Sequence, residues 1–280
     1  MYPPPFGYIK VSNVGDAINA LSSNEDAKIL AGGQSLIPLL KLRLARPSYI
    51  IDINGIKSLS YIKIQNNEAR IGALTRHHEI EVNEKLWSMC PSLPEAAAQI
   101  GDPQIRNMGT IAGSLAHGDP SADWPIVLAS LNAMAVIIGS SGERTEYIDS
   151  LLVGPFMTTL RRDEIIREII VPLNRKAAYV KLERKAGDFA VVSVAVSIKV
   201  DAAGSISDAR VMALSSGSMP IRSRSAEEAL IHGGSDAVDE AVNNLVKDTK
   251  FVDDIRGSVA YKRSVITIMA RKAIQRALSR

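Results

Sequence analysis

"ILAGGQSLIPLLKLRLARP", residues 29–47, opens as an apolar strand, passes two glycines and a hydroxyl, and continues as a basic amphipathic segment. Glycine tolerates positive φ and close backbone approach, so successive main-chain N–H groups there can face one concavity and receive a phosphate oxygen. A second segment of the same kind, "GTIAGS" at 109–114, follows about eighty positions later. Ser35, Thr110 and Ser114 add hydroxyl donors. Neither the glycine loop "AGGQS" at 31–35 nor "GTIAGS" contains Lys or Arg, so an anion between them is held by oriented dipoles rather than full charges. Two such segments suit the two phosphoryl groups of a diphosphate. No GxGxxG follows a strand and no GxxxxGK[ST] occurs, which disfavours a Rossmann fold and a P-loop. The residues alone therefore point to a dinucleotide or another phosphorylated ligand.

Working outward, "VGDAINALSS" has helical apolar spacing and "AKIL" reads as a strand. "LIPLLKLRLA", residues 36–45, predicts a helix with Pro38 in its first turn, where the missing N–H matters little. "YIIDI" is a buried strand. These make a small α+β unit over about residues 1–54. A second unit, 55–174, holds a hairpin turning at Asn66 and Asn67 and helical patterns over 78–100. It continues through a glycine- and proline-rich stretch at 101–125, a hairpin in "AMAVIIGSSGERTEYI", and the strand "EIIREIIVP". From residue 175 to 280 the pattern becomes long strands with turns near 201–205 and 215–218, then helices near 225–231, 236–247 and 257–278.

The chain has 280 residues, 46% hydrophobic and 22% charged, so it can bury a sizeable core in two domains or one large one. A net charge of +3 is too small to predict a nucleic-acid partner. Residues 255–280 are basic, but Val265, Ile266, Ile268, Met269 and Ile274 supply an apolar stripe, which favours a docked helix over a lipid- or RNA-binding one. The start "MYPPPFGYIK" is unlike a secretory signal, and the apolar run 124–139 is broken by Pro125, Ser130 and Asn132. A cytoplasmic chain without a transmembrane segment is expected. Cys90 is the only cysteine. An iron–sulfur cluster generally takes four cysteine ligands, so this chain alone cannot hold one.

"KILAGGQSLIPLLKLRLARP" and "IRNMGTIAGSLAHGDPSADWP" resemble the two flavin-binding segments of the medium subunits of molybdenum hydroxylases. That family includes carbon monoxide dehydrogenase, xanthine dehydrogenase and aldehyde or glyceraldehyde oxidoreductases. "IGALTRHHEIE", "GPFMTTLRRDEIIREIIVP", "ERKAGDFAVVSVA" and "VAYKRSVITIMARKAI" extend the resemblance over almost the whole chain. It implies an α+β fold: a vanillyl-alcohol-oxidase-type FAD-binding domain of two α+β subdomains, then a C-terminal domain with an antiparallel sheet and helices. It implies non-covalent FAD, since Gln34 stands where the family also uses His. Ala31, Gly32, Gly33, Gln34, Ser35 and Leu36 would wrap the diphosphate and adjoining atoms; Thr110, Ala112, Gly113 and Ser114 would form the second loop. Ala112 replaces a family glycine, which a main-chain hydrogen bond survives if φ stays negative. Asp123 would bind a ribose or nearby polar group, Ile166 would pack near the isoalloxazine, and Lys185, or its neighbours Arg184 or Lys181, would approach the ring's polar edge. The implied complex has a large subunit with a molybdenum–pterin cofactor, a small subunit with two 2Fe–2S clusters, and an external electron acceptor.

Other chemistries fit less well. "TRHHEIE" clusters His77, His78, Glu79 and Glu81, but adjacent helical residues point about 100° apart and no HExxH spacing occurs. His117 and Asp119 resemble an acid–base pair, which loop-shaping hydrogen bonds explain as well. Asp102, Asp119 and Asp123 allow a magnesium-dependent nucleotide enzyme of kinase or nucleotidyl-transfer type. A non-catalytic assembly subunit that has lost its flavin is a third reading, and the intact pair of glycine segments argues against it.

Overall fold

Parallel pairing in the first unit follows from its β–α–β order. In the computed structural model, which describes residues 2–280, β1 (Gly7–Lys10), α1 (Val14–Ser23), β2 (Ala27–Leu30), α2 (Leu36–Lys41) and β3 (Tyr49–Asp52) form a three-stranded parallel sheet ordered β1-β3-β2. Asn13 caps α1 by accepting from the Asp16 amide at 2.9 Å. The helix α2 is shorter than the 36–45 expected from its apolar spacing. Arg43 adopts φ 60°, and the Arg43 and Leu44 amides bond back to Leu40 and Leu39, a Schellman stop that the amphipathic pattern conceals.

The second unit contains β4 (Ile62–Gln65), β5 (Glu68–Gly72), α3 (His77–Glu81), α4 (Glu84–Met89), α5 (Ser92–Ala98), α6 (Pro103–Met108), α7 (Ile111–His117) and α8 (Asp123–Ser130). It closes with β6 (Met134–Gly139), β7 (Gly142–Tyr147), α9 (Ile148–Leu151), β8 (Leu152–Gly154), β9 (Met157–Thr158) and β10 (Ile165–Pro172). Five strands form an antiparallel sheet ordered β4-β5-β10-β6-β7. Asn66 and Asn67 have φ 50° and 62°, the left-handed pair that a two-residue hairpin turn requires. The glycine- and proline-rich stretch at 101–125 is not one loop. Asp102 caps α6 through the Ile105 amide at 2.8 Å, and Thr110 caps α7 through the Gly113 amide at 3.2 Å, so each turn becomes a helix start.

Beyond these, β11 (Lys176–Leu182), β12 (Val192–Val200), β13 (Ile206–Ser215) and β14 (Ile221–Arg222) form an antiparallel sheet in chain order, followed by α10 (Arg224–Gly233), α11 (Val238–Asp248) and α12 (Val259–Leu278). Strand β12 is covered on both faces. Val192, Val194, Val196 and Ile198 pack with Ile266, Ala270 and Ile274 of α12, while Ala195 belongs to the apolar cluster of the first two units. The stripe on α12 differs from the expected one. Ile268 is 64% exposed, and Lys262 takes a fully buried position one turn before Ile266. Its ammonium donates to the carbonyls of Ser216 at 3.0 Å and Val252 at 2.7 Å and pairs with Asp254 at 2.8 Å, which offsets the desolvation. The fold is α+β, with antiparallel sheets following a small parallel one.

Candidate flavin site

The two glycine segments touch. A Cβ on Gly32 would fall on the Met108 carbonyl oxygen and lie 2.7 Å from Gly109 Cα, so only glycine lets the β2–α2 loop seat against the end of α6. A Cβ on Gly113 would lie 3.7 Å from the Ala31 side chain. Gly33 has φ 73°, the left-handed turn that directs the chain into α2. Among the described residues, the amides of Gly32, Gly33, Gln34, Ser35 and Leu36 donate to no backbone or side-chain acceptor, and Gln34 and Ser35 are exposed. Gln34 folds back to donate from Nε2 to the Gly32 carbonyl at 3.2 Å.

The second segment is built differently from an open loop. Ile111 and Ala112 donate their amides to the Thr75 and Ala73 carbonyls at 3.2 and 3.4 Å, and Gly113 donates to the Thr110 hydroxyl. Ala112 is helical and buried, so its φ is negative and its methyl is accommodated. The Thr110 amide and the Ser114 hydroxyl donate to no protein group among the described residues. Thr110 pairs with Arg76 in an antiparallel bridge, with His77 and Ile111 amides bonding across it.

Behind the second segment lies His77, 4% exposed. Its Nδ1 accepts from the Trp124 indole at 3.0 Å, and a Cβ on Gly109 would lie 2.7 Å from its Nε2. Burial holds the imidazole down to about 4, with Arg76 and Arg106 acting in the same direction, so it is neutral near pH 7. The histidine and the adjacent His78 do not form a metal cluster: His78 faces Glu81 at 3.2 Å, and no group of three potential ligands converges among the described residues.

Sequence reasoning missed the link that ties the segments together. Arg76 donates through Nη1 to the Met108 carbonyl and through Nη2 to Asn54 Oδ1 at 2.8 Å; Asn54 Nδ2 donates to the Ala31 carbonyl at 2.8 Å. Both residues lie outside the glycine motifs; Arg76 falls within the stretch "IGALTRHHEIE", whose pattern gives no sign of this role.

The remaining expected residues are more dispersed. Asp123 begins α8 and is buried; its carboxylate accepts from Tyr179 and from Lys181 at 3.2 Å, and burial still pushes its acidity down, raising the pKa. Lys181 thus turns inward. Lys185 is exposed on the β11–β12 turn, whose Gly187 would bring a Cβ 2.9 Å from the Gly101 carbonyl oxygen, and no hydrogen bond joins it to either segment among the described residues. Ile166 is 4% exposed beside a β-bulge in β10; Arg167 in that bulge accepts from the Ala73 amide at 3.0 Å, which places the bulge one peptide away from α7. Asp102 and Asp119 are occupied locally, Asp119 by the Ser121 amide at 2.8 Å. The three carboxylates considered for magnesium are therefore engaged separately.

Residues 4–174 match the model of the FAD binding domain in molybdopterin dehydrogenase, and residues 177–277 match the carbon monoxide dehydrogenase flavoprotein C-terminal domain. The chain belongs to the FAD-binding medium-subunit family of molybdenum hydroxylases. It is 38% identical to the glyceraldehyde dehydrogenase medium chain of Sulfolobus acidocaldarius, covering 98% of this chain and 99% of that one. It is 35% identical to the carbon monoxide dehydrogenase medium chain of Hydrogenophaga pseudoflava, covering 100% and 99%. The structure of carbon monoxide dehydrogenase from H. pseudoflava lacking the Mo-pyranopterin moiety superposes with a TM-score of 0.93, at 36% identity over 100% of this chain and 99% of that chain. Quinoline 2-oxidoreductase from Pseudomonas putida 86 gives a TM-score of 0.92 at 27% identity, with 100% and 99% covered. The medium-subunit family is one of FAD-carrying oxidoreductase subunits, and this membership removes the kinase reading. No helix among the described residues is long and apolar enough to cross a membrane.

Proposed function

We propose that this chain holds FAD non-covalently with its diphosphate between the Ala31–Leu36 and Thr110–Ser114 segments and serves as the electron-transfer subunit of a three-chain molybdenum hydroxylase. The observation that carries the reading is the seating of Gly32 on Met108 and Gly109, which makes one cradle of two segments. FAD, when bound, supplies the exchange between one- and two-electron transfer. The chain's own part is to present five unengaged amides of the first segment, with the Ser35, Thr110 and Ser114 hydroxyls, to an anion. Asp123, held by Lys181 and Tyr179, is the group assigned to a ribose; Ile166 and Lys185 are assigned to the flavin ring's surroundings.

In this reading two 2Fe–2S clusters in a small partner subunit feed electrons to the flavin, a large partner with a molybdenum–pterin cofactor oxidises the substrate, and an external acceptor takes the electrons. The cysteine count supports the division. Cys90 is buried, with Sγ 3.3 Å from the Ser92 hydroxyl, and burial raises its thiol pKa. The medium chains and the complex subunit among the relatives agree with a heteromer, and their names support a substrate among aldehydes, carbon monoxide and N-heterocycles. Residues 1–174 and 175–280 are taken as the two domains, and the cytoplasm as the location. Native purification from the source cells tests the proposal. It predicts a brown complex of three kinds of chain that releases FAD on denaturation and whose visible absorption bleaches on adding an oxidisable aldehyde, carbon monoxide or N-heterocycle; a colourless lone chain would sink it.

A further inference from the structure

Arg76 carries a positive charge that no carboxylate contacts. Among the described residues, every other arginine that is not exposed has a carboxylate oxygen within 4.0 Å. Arg76 is half-buried and has none; its guanidinium donates only to two neutral oxygens, those of Met108 and Asn54. Glu79 and Asp52 act on it from farther off, Glu79 being occupied by the Arg76 amide at 2.6 Å and Asp52 by Asn54 Nδ2 at 2.8 Å. A partly desolvated, unpaired cation is costly unless a ligand supplies the counter-charge.

Its position says which ligand. The guanidinium stands where the two glycine segments meet, one bond from the Met108 carbonyl and, through Asn54, two bonds from the Ala31 carbonyl. In a trans peptide the C=O and N–H point in opposite directions. Holding the Ala31 carbonyl toward Asn54 therefore turns the Gly32 amide away from Asn54. Arginine has five donors in a fixed fork, and its Nε–H has no protein acceptor among the described residues. The segments lack a cation of their own, and the tertiary structure brings one.

We propose that Arg76 is a positioning residue for the diphosphate of the bound flavin nucleotide: it locks both segments through their carbonyls and supplies the positive charge that the dianionic bridge requires. The inference rests on the flavin reading above. It goes beyond the glycine motifs, which contain no charge.

Two substitutions at Arg76 and one beside it separate charge from mere bracing. The purified complex is stripped of flavin and titrated with FAD at low and high ionic strength, with the thermal midpoint of each flavin-free variant measured in parallel. Arg76→Gln is expected to weaken FAD binding about tenfold or more at low salt, the order of one lost charge-assisted contact. Arg76→Lys, which keeps the charge without the fork, should bind more tightly than Arg76→Gln, and the gap should narrow as salt rises. Glu79→Gln keeps the capping geometry and removes a nearby negative charge, so it should tighten FAD binding at low salt, a gain that unfolding cannot mimic. Equal losses in the Lys and Gln variants, or unaltered affinity in Arg76→Gln and Glu79→Gln, would overturn the charge assignment while wild-type FAD binding stands. A wild-type complex that takes up no FAD would instead overturn the flavin reading and this inference with it.

Discussion

The Trp124 indole donates to His77 Nδ1 at 3.0 Å, and this bond braces the start of α8 against the start of α3 directly behind Gly109. The imidazole is neutral when folded, with its pKa held to about 4 against an ordinary 6.5. Between those values the unfolded chain binds a proton that the folded chain does not. The stabilisation is therefore complete above about pH 6.5 and is lost as the pH falls toward 4, reaching roughly 3 kcal/mol for this buried group. Thermal midpoints of wild type and His77→Gln across this window test it. The wild type should lose stability more steeply on acidification, and parallel curves would refute the assignment.

Gly33 and Ser35 test the cradle more directly than a core residue does. Gly33→Val forces a β-branched residue to φ 73° and drives its Cβ to within 2.7 Å of Ile37 Cδ1; Ser35→Ala removes an exposed hydroxyl. The double variant should purify folded by circular dichroism with flavin occupancy reduced about tenfold, as expected for losing one to two hydrogen bonds to a charged ligand. Full FAD content at normal stoichiometry would show that the diphosphate lies elsewhere.

Lys262 anchors α12 to two turns at once. Replacing it by Met removes the ammonium and leaves the Ser216 and Val252 carbonyls and the Asp254 carboxylate without their donor. Breaking a buried pair in this way costs about 3–5 kcal/mol. Chemical denaturation should show that loss, and a cost below about 1 kcal/mol would mean that water replaces the ammonium.

Tyr61 donates to Glu168 at 2.7 Å, and Glu168 also receives Arg70 at 2.9 Å and Arg167 at 3.1 Å. Burial, reinforced by the bond to Glu168, pushes the phenol up to about 12 from 10. Here the folded state keeps a proton that the unfolded state releases, so this stabilisation is full below about pH 10 and disappears as the pH rises toward 12. Ultraviolet titration should find the last tyrosine to ionise doing so at lower pH in Glu168→Gln than in wild type, while burial still holds it above the ordinary 10. Identical titrations would remove the coupling.

The residue pattern was informative wherever the physics is local. Asn66 and Asn67 specify a left-handed turn because their short polar side chains tolerate positive φ. Valines at alternate positions of β12 specify a buried strand. Gly32 and Gly33 mark a close approach before any partner is known. Local pattern misled at 36–45, where a capping motif ends α2 inside an unbroken amphipathic run, and at 110–117, where small residues resemble a loop but Thr110 starts a helix.

What the sequence by itself determined is the inventory: two glycine segments with hydroxyls and no charge, one cysteine, and strand and helix periods that rise from backbone sterics within a few residues. What only the tertiary structure decided is adjacency. Arg76 and Asn54 become the bridge between Ala31 and Met108, and Lys262 becomes a core residue, because sheets and helices from distant parts of the chain bury them together. Desolvation and hydrogen-bond geometry act on spatial neighbours, and linear order does not list those neighbours.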